Sequence, residues 1–168
     1  MTEAIVVVVS TRAADGTRAD TVGPDLVARL AAAGWAVEPA PVVVPDDAAA
    51  LAGLLTELAA GAHQLIVTTG GTGLSPTDRT PEATGRIADY LVPGLAELMR
   101  AAGTVSTPLA ALSRGVVAVR GHALIVNLPG SPAGAAESLD AVLPVLRHAV
   151  DQLSGGDHHR TSAPGTSK

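Results

Sequence analysis

The sequence predicts an α/β fold on a mostly parallel sheet whose strands are covered on both faces, and three observations carry that prediction. Short apolar runs alternate with segments of helical period, as in chains of βαβ units. The first run, Ala4–Val9 (AIVVVV), is apolar throughout rather than alternating, which marks a strand buried on two sides. Polar segments (STRAADG, PDD, TTGGTGLSPTD and NLPGSP) follow the apolar runs, where strand-to-helix crossovers belong. At 168 residues the chain reads as one domain, long enough to bury a full core.

The elements follow in order. After the loop STRAADGTRAD, residues 22–33 place Val22, Leu26, Val27 and Leu30 on one helical face, and Gly34 ends that helix. Residues 35–44 read as a second strand, at an edge or with a broken ladder, because Pro39 and Pro41 cannot donate to a neighbour. Asp46 or Asp47 caps the next helix, whose Leu51, Leu54, Leu55 and Leu58 share one face. Leu65–Thr69 is a third strand. Thr80 and Pro81 supply an N-cap and a proline at the first helical position, and Pro93 and Gly94 start a further helix through Met99.

Residues 116–120 and 123–127 flank Gly121-His122 as a hairpin inside the otherwise parallel sheet. Ser131 and Pro132 open the last helix, striped by Leu139, Val142, Leu143, Leu146, Val150 and Leu153, with Pro144 expected to kink or divide it. The domain is expected to span residues 1–153. Residues 154–168 (SGGDHHRTSAPGTSK) offer nothing large and apolar to bury and are expected to form a flexible tail.

Composition excludes several function classes. Apolar runs are broken by Gly, Pro or charge within about 10 residues, where a membrane span needs about 20. The N-terminus MTEAIVVVVS lacks the basic start of a signal peptide, so a cytoplasmic chain is expected. There is no cysteine, hence no thiolate nucleophile or thiolate metal site. A net charge of −5, with scattered basic residues and Trp35 and Tyr90 as the only aromatics, argues against a nucleic-acid partner. The only lysine is Lys168, so any cation meeting a phosphate inside the domain must be an arginine or a metal ion.

The chemistry concentrates after the third strand. Gly70, Gly71 and Gly73 form a turn that can aim main-chain N–H groups at an anion. A P-loop would need a lysine after its last glycine, and a dinucleotide fingerprint starting at Gly71 would need a small residue where Pro76 stands; both fail. Asp78, a few residues on, would repel phosphate unless a cation lies between, and Mg²⁺ is the usual intermediary. Asp46 is a candidate second carboxylate, although an acid before a helix is also an ordinary cap. Arg12, Arg79 and Arg114 are candidates to neutralise phosphate. The serines lack a nucleophile elbow and the histidines lack metal-ligand spacing.

Five motifs in order give the chain its resemblance: STRA at 10–13, PDD at 45–47, TTGGTG at 68–73 with Asp78 and TPEAT at 80–84, TPLAALSR at 107–114, and NLPGSP at 127–132. Together they resemble the Mog and MoaB proteins of molybdenum cofactor synthesis, related to the G domains of gephyrin and plant Cnx proteins. The resemblance implies a three-layer α/β/α sandwich that forms a homotrimer and binds molybdopterin. In its Mog-type members it implies Mg²⁺-dependent transfer of AMP from ATP to the terminal phosphate of the pterin, with release of pyrophosphate. MoaB-type members that bind or carry the pterin without turnover are the alternative. By position, Asp46 and Asp78 resemble the two acids tied to metal and catalysis, with Asp47 contesting the place of Asp46. Ser10, Arg12, Thr69, Gly70, Gly71, Thr72, Gly73, Ser113, Pro129, Gly130 and Ser131 resemble substrate- and nucleotide-binding positions.

Overall fold

The computed structural model describes residues 3–155; of the tail expected at 154–168, Ser154 and Gly155 are described and residues 156–168 lie outside the described residues, as do residues 1 and 2. Six strands, β1 (Ala4–Val9), β2 (Val42–Val44), β3 (Leu65–Thr69), β4 (Tyr90–Leu91), β5 (Val117–Arg120) and β6 (Ala123–Leu128), form one sheet in the order β2-β1-β3-β6-β5-β4. The pairs β1–β2, β1–β3 and β3–β6 are parallel, while β5 runs antiparallel to both β6 and β4. The helices are α1 (Thr11–Ala14), α2 (Val22–Ala32), α3 (Ala48–Ala60), α4 (Thr80–Ile87), α5 (Pro93–Ser106) and α6 (Pro132–Leu153), with a 3₁₀ turn at Pro108–Leu112.

The pleat makes this a three-layer sandwich. Along β1, Ala4, Val6 and Val8 face one way, into a cluster with Leu26 and Leu30 of α2, Met99 of α5 and Leu139 and Leu146 of α6. Ile5, Val7 and Val9 face the other way, against Leu51 and Leu55 of α3 and Ala83 of α4. Every β1 residue is buried, as the unbroken apolar run requires. Each Val or Leu so buried contributes about 1.5–3 kcal/mol of transfer free energy, enough for an aliphatic core to hold without Phe.

Turn chemistry sets the element ends. Gly34 takes φ +84°, its N–H donates to Ala31 O (3.0 Å) and that of Trp35 donates to Leu30 O (3.0 Å), the paired bonds of a Schellman stop after α2. Gly121 takes the positive φ of +58° that a primed two-residue turn needs between Arg120 and Ala123.

The structure departs from the sequence expectation at several boundaries. The second strand is only Val42–Val44, with Val37 making a separate bridge to Ala4; the prolines at 39 and 41 interrupt the ladder of this edge strand. Part of the first polar loop winds into α1, capped by Ser10, whose Oγ accepts from Ala13 N (3.3 Å). The short β4 carries no readable signal at two residues, and α5 runs on past Met99 to Ser106.

Pro144 does not divide α6, which is continuous through it. Its ring lies on the exposed side, so the Asp140 carbonyl that loses its helical donor faces water rather than the core. Replacing Pro144 by alanine is therefore expected to stabilise the fold by about 1–3 kcal/mol, read as a higher urea midpoint; an unchanged or lower midpoint would show that the packing of α6 needs the proline.

Candidate functional site

The carboxyl ends of β1, β3 and β6 lie side by side, and the segments that leave them are pressed together. Gly70 has φ +98° and approaches β1 so closely that a Cβ would lie 2.3 Å from Val9 O. On Gly130, in the turn after β6, a Cβ would lie 3.2 Å from Gly70 Cα. Gly70 N donates to Leu128 O (3.2 Å) and Thr69 Oγ1 donates to Pro129 O (2.7 Å), closing the seam between the turns after β3 and β6.

Thr80 holds the same turn from the far side. It is the first residue of α4 rather than its cap, which is Arg79 and makes no side-chain capping bond. The buried Thr80 hydroxyl donates to Gly70 O (2.9 Å) and its N–H donates to Gly71 O (3.0 Å). With the carbonyls so engaged, the N–H groups of Gly71, Thr72 and Gly73 donate to nothing among the described residues. They form the row of unspent donors that an anion-binding turn presents.

Two crevices open beside this junction. The one between the ends of β1 and β3, about 580 Å³, is lined by Ser10, Arg12, Asp46, Thr69 and Gly70. The second, about 530 Å³, lies between the glycine turn, α5 and the start of α6, and is lined by Thr72, Gly73, Ser113, Pro129 and Ser131. Gly71, Asp78 and Gly130 line both, and so form the wall between them. Ser113 Oγ accepts from Gly115 N (3.3 Å), and Ser131 Oγ caps α6 by accepting from Gly134 N (3.2 Å).

The neighbouring acids at 46 and 47 divide two tasks. Asp47 is the cap of α3, its Oδ1 accepting from Ala49 N (2.9 Å) and Ala50 N (2.8 Å). Asp46 turns to the crevice, where its Oδ2 accepts from both Thr11 N and Thr11 Oγ1 at 2.9 Å. Thr11 Oγ1 in turn accepts from Asp46 N (3.1 Å), so one threonine fixes the carboxylate at two points. Asp78 is fixed within its own loop: its Oδ2 accepts from Ser75 N (2.9 Å). Among the described residues, the Oδ1 atoms of Asp46 and Asp78 accept no hydrogen bond.

The arginines sort differently from the sequence expectation. Arg114 is spent internally, donating from Nε to Gly73 O (2.8 Å), from Nη2 to Asp78 O (2.9 Å) and from both Nη atoms to Glu82. Its hydrogen bond is the first cause holding the Glu82 carboxyl below the usual carboxylate range, and Glu82 in turn raises Arg114. Arg79 Nε donates to Pro76 O (3.2 Å). Arg12 and Arg18 line the first crevice, and their guanidinium groups make no hydrogen bond among the described residues. No local pattern in the sequence marks Arg18 or Arg100, whose Nη1 donates to Ser113 O (3.4 Å) and Gly115 O (3.0 Å). Thr11 and the buried Asn127 stand inside the STRA and NLPGSP runs with no role legible there; Asn127 Nδ2 donates to the Thr68 and Thr84 hydroxyls.

An open sheet with a crevice at its β1/β3 switch point defines the class: a doubly wound α/β domain whose candidate site is at the carboxyl edge. Within that class the chain belongs to the Mog/MoaB family of molybdenum cofactor biosynthesis, residues 5–148 matching the domain described as "Probable molybdopterin binding domain". It is 50% identical to the molybdopterin biosynthesis enzyme MoaB of Thermus thermophilus, over 92% of this chain and 98% of that one, at a TM-score of 0.81. The molybdopterin biosynthesis Mog protein of Mycobacterium ulcerans is 42% identical over 91% of this chain and 99% of its own, at a TM-score of 0.85. A molybdopterin adenylyltransferase of Helicobacter pylori is 45% identical over 91 residues, 54% of this chain and 52% of that enzyme. The chain thus matches about half the length of that curated relative.

Gly70→Ala is expected to cost more than about 3 kcal/mol, since the methyl meets the Val9 carbonyl and the backbone is left-handed. Gly34→Ala, at a similar φ but in open space, is expected to cost about 1–2 kcal/mol. Urea unfolding of both variants checks this, and equal losses would show that the strand seam tolerates a side chain.

Proposed function

We propose that the chain is a molybdopterin adenylyltransferase, moving AMP from ATP to the terminal phosphate of molybdopterin with release of pyrophosphate. The observation that carries the reading is that Asp46 and Asp78, 32 positions apart by their numbers, line one crevice beside the unspent amides of the glycine turn. The name carried by the Helicobacter pylori relative supports the same activity.

The two crevices suit the two substrates. The polar one, with Arg12 and Arg18 on its wall, fits the triphosphate of ATP. The other, with Ala96, Met99 and Leu109 among its lining residues, offers an apolar face to a flat pterin ring. The shared wall of Gly71, Asp78 and Gly130 is then where the reacting phosphates meet. An oxygen of molybdopterin's terminal phosphate attacks the α-phosphorus of ATP, the bond from that phosphorus to the oxygen bridging to the β-phosphate breaks, and pyrophosphate leaves with that electron pair. The attacking phosphate is already ionised near neutral pH, so the reaction needs no histidine or lysine base. Alignment and neutralisation of charge are what the chain must supply, and the N–H groups of Gly71, Thr72 and Gly73 are placed to supply both.

The donor set fits Mg²⁺. Asp46 and Asp78 each keep one carboxylate oxygen unspent, and among the described residues no group of three or more acids or histidines forms a complete cage. Two carboxylates completed by substrate phosphates and water are the coordination Mg²⁺ prefers. Bound there, the ion would neutralise the triphosphate and the departing pyrophosphate.

Among the described residues no helix is long and apolar enough to cross a membrane. The reading includes a homotrimer working in the cytoplasm. Exposed apolar side chains of α5, Leu98 and Val105, the latter at 88% exposure, support burial against a further copy.

Purified protein given molybdopterin, ATP and Mg²⁺ is expected to release pyrophosphate and adenylylated pterin. Asp78→Asn should lower turnover by about a hundredfold or more while pterin affinity changes by less than about threefold. A wild-type protein that binds pterin and forms no product would instead be a carrier. Light scattering is expected to report a mass three times that of one chain; a monomer would remove the trimer from the reading.

A further inference from the structure

We propose that Arg114 and Glu82 form a positioning clasp that holds Asp78 and the amides of the glycine turn in place, setting turnover without touching either substrate. The consequence for turnover rests on the adenylyltransferase reading; the mechanical claim does not.

The segment from Gly71 to Arg79 is irregular, and most of its own bonds are short-range. Asp78 N donates to Ser75 O (2.9 Å), Ser75 N donates back to Asp78 Oδ2 (2.9 Å), and Ser75 Oγ lies 3.1 Å from Thr77 Oγ1. Such contacts shape the loop without fixing where it sits. Arg114 fixes it at three points along its length, through Arg114 N to Thr72 O (2.8 Å), Nε to Gly73 O (2.8 Å) and Nη2 to Asp78 O (2.9 Å). The bonds from both Nη atoms to Glu82 add the first turn of α4, so one side chain joins both ends of the loop to the helix that follows it.

The anchor is itself held. Arg100 of α5 donates to the carbonyls on either side of Arg114, those of Ser113 and Gly115. Gly115 packs so tightly that a Cβ would lie 2.7 Å from Asn127 O in β6. The clasp therefore ties the loop of Asp78 to the sheet.

Donor accounting separates this role from phosphate binding. Nε donates once, Nη1 once and Nη2 twice, which uses four of the five N–H groups of a guanidinium. The planar fork satisfies acceptors in several directions at fixed angles, which a lysine ammonium on a flexible stem does not. The side chains of Arg114 and Glu82 are 35% and 43% exposed, so as an ion pair they add little to global stability. What they add is geometry, and catalytic geometry is sensitive: a shift of about 1 Å can cost about a hundredfold in rate.

The test uses Arg114→Lys and Glu82→Gln in the full chain. Amide hydrogen exchange at Ser75, Asp78 and Thr80, whose N–H groups donate to Asp78 Oδ2, Ser75 O and Gly71 O, measured without substrate, is expected to be about tenfold faster in Arg114→Lys, with the thermal midpoint within a few degrees of wild type. With pterin, ATP and Mg²⁺, kcat is expected to fall about tenfold to a hundredfold while KM for each substrate moves less than about threefold. Glu82→Gln should show the same changes in milder form, and adding it to Arg114→Lys should lower kcat by less than about twofold more, because the pair acts as one unit. Wild-type exchange in Arg114→Lys overturns the clasp, as does a raised KM with unchanged kcat, which would make Arg114 a phosphate ligand. Should Arg114→Lys fail to fold, Glu82→Gln decides by the same exchange readout. If wild type lacks adenylylation altogether, the exchange measurement still decides the clasp, so the two failures are distinct.

Discussion

The contact of Gly70 with the end of β1 organises the carboxyl edge. Strands in a parallel sheet lie about 4.8 Å apart, and the turn after β3 can stay beside Val9 only because residue 70 has no side chain and accepts φ +98°. That approach lets the turn after β6 close over the same point through Gly130, and lets Thr80 reach across to take up Gly70 and Gly71. Carbonyls are consumed and amides are left over. The surplus of N–H groups at the meeting of two crevices is therefore a consequence of packing, present before any ligand arrives.

Charge is handled by the same economy of position. Each acid of the site has one oxygen tied to protein donors and one unspent, an arrangement that fixes direction without cancelling charge. Thr11 does this for Asp46 with both its N–H and its hydroxyl, while Ser75 N does it for Asp78. A carboxylate aimed in this way can meet a cation without first losing rotamer entropy. The neighbouring Asp47 shows the alternative, where both bonds go to the N-terminus of α3 and the acid serves folding.

The parts of this picture that were legible in the sequence are those with a period or a punctuation mark. AIVVVV announced a strand buried on two faces, Gly34 the end of α2, and TTGGTG the turn after β3. The hairpin at Gly121 was readable for the same reason. Contacts that join distant segments leave no such trace. Thr11 and Asp46 are separated by 35 residues, Arg114 and Glu82 by 32, and nothing in either local pattern names its partner. Arg114 looked like a free cation because a side chain's donors can be counted as spent only once the carbonyls of Gly73 and Asp78 are located. Thr80 looked like a cap because its neighbour is Pro81, although its hydroxyl serves the glycine turn. The acids at 46 and 47 illustrate the limit most sharply, since adjacent residues of one type acquired different tasks from the loop that happened to face them.

A chain with net charge −5 is an unpromising partner for two phosphorylated molecules, and on the proposed reading the site must work against its own protein. Distance resolves part of the conflict. At physiological ionic strength the Debye length is about 8 Å, so acids scattered over the surface are screened at the crevice. The repulsion that matters comes from Asp46 and Asp78, and it falls on the same volume that Arg12, Arg18 and the turn amides line. A divalent ion turns that repulsion into attraction, because two half-free carboxylates and a phosphate chain bind it jointly more strongly than either does alone. The acids would then serve as a gate on charge: nucleotide without metal meets two negative groups, whereas nucleotide with metal meets two ligands.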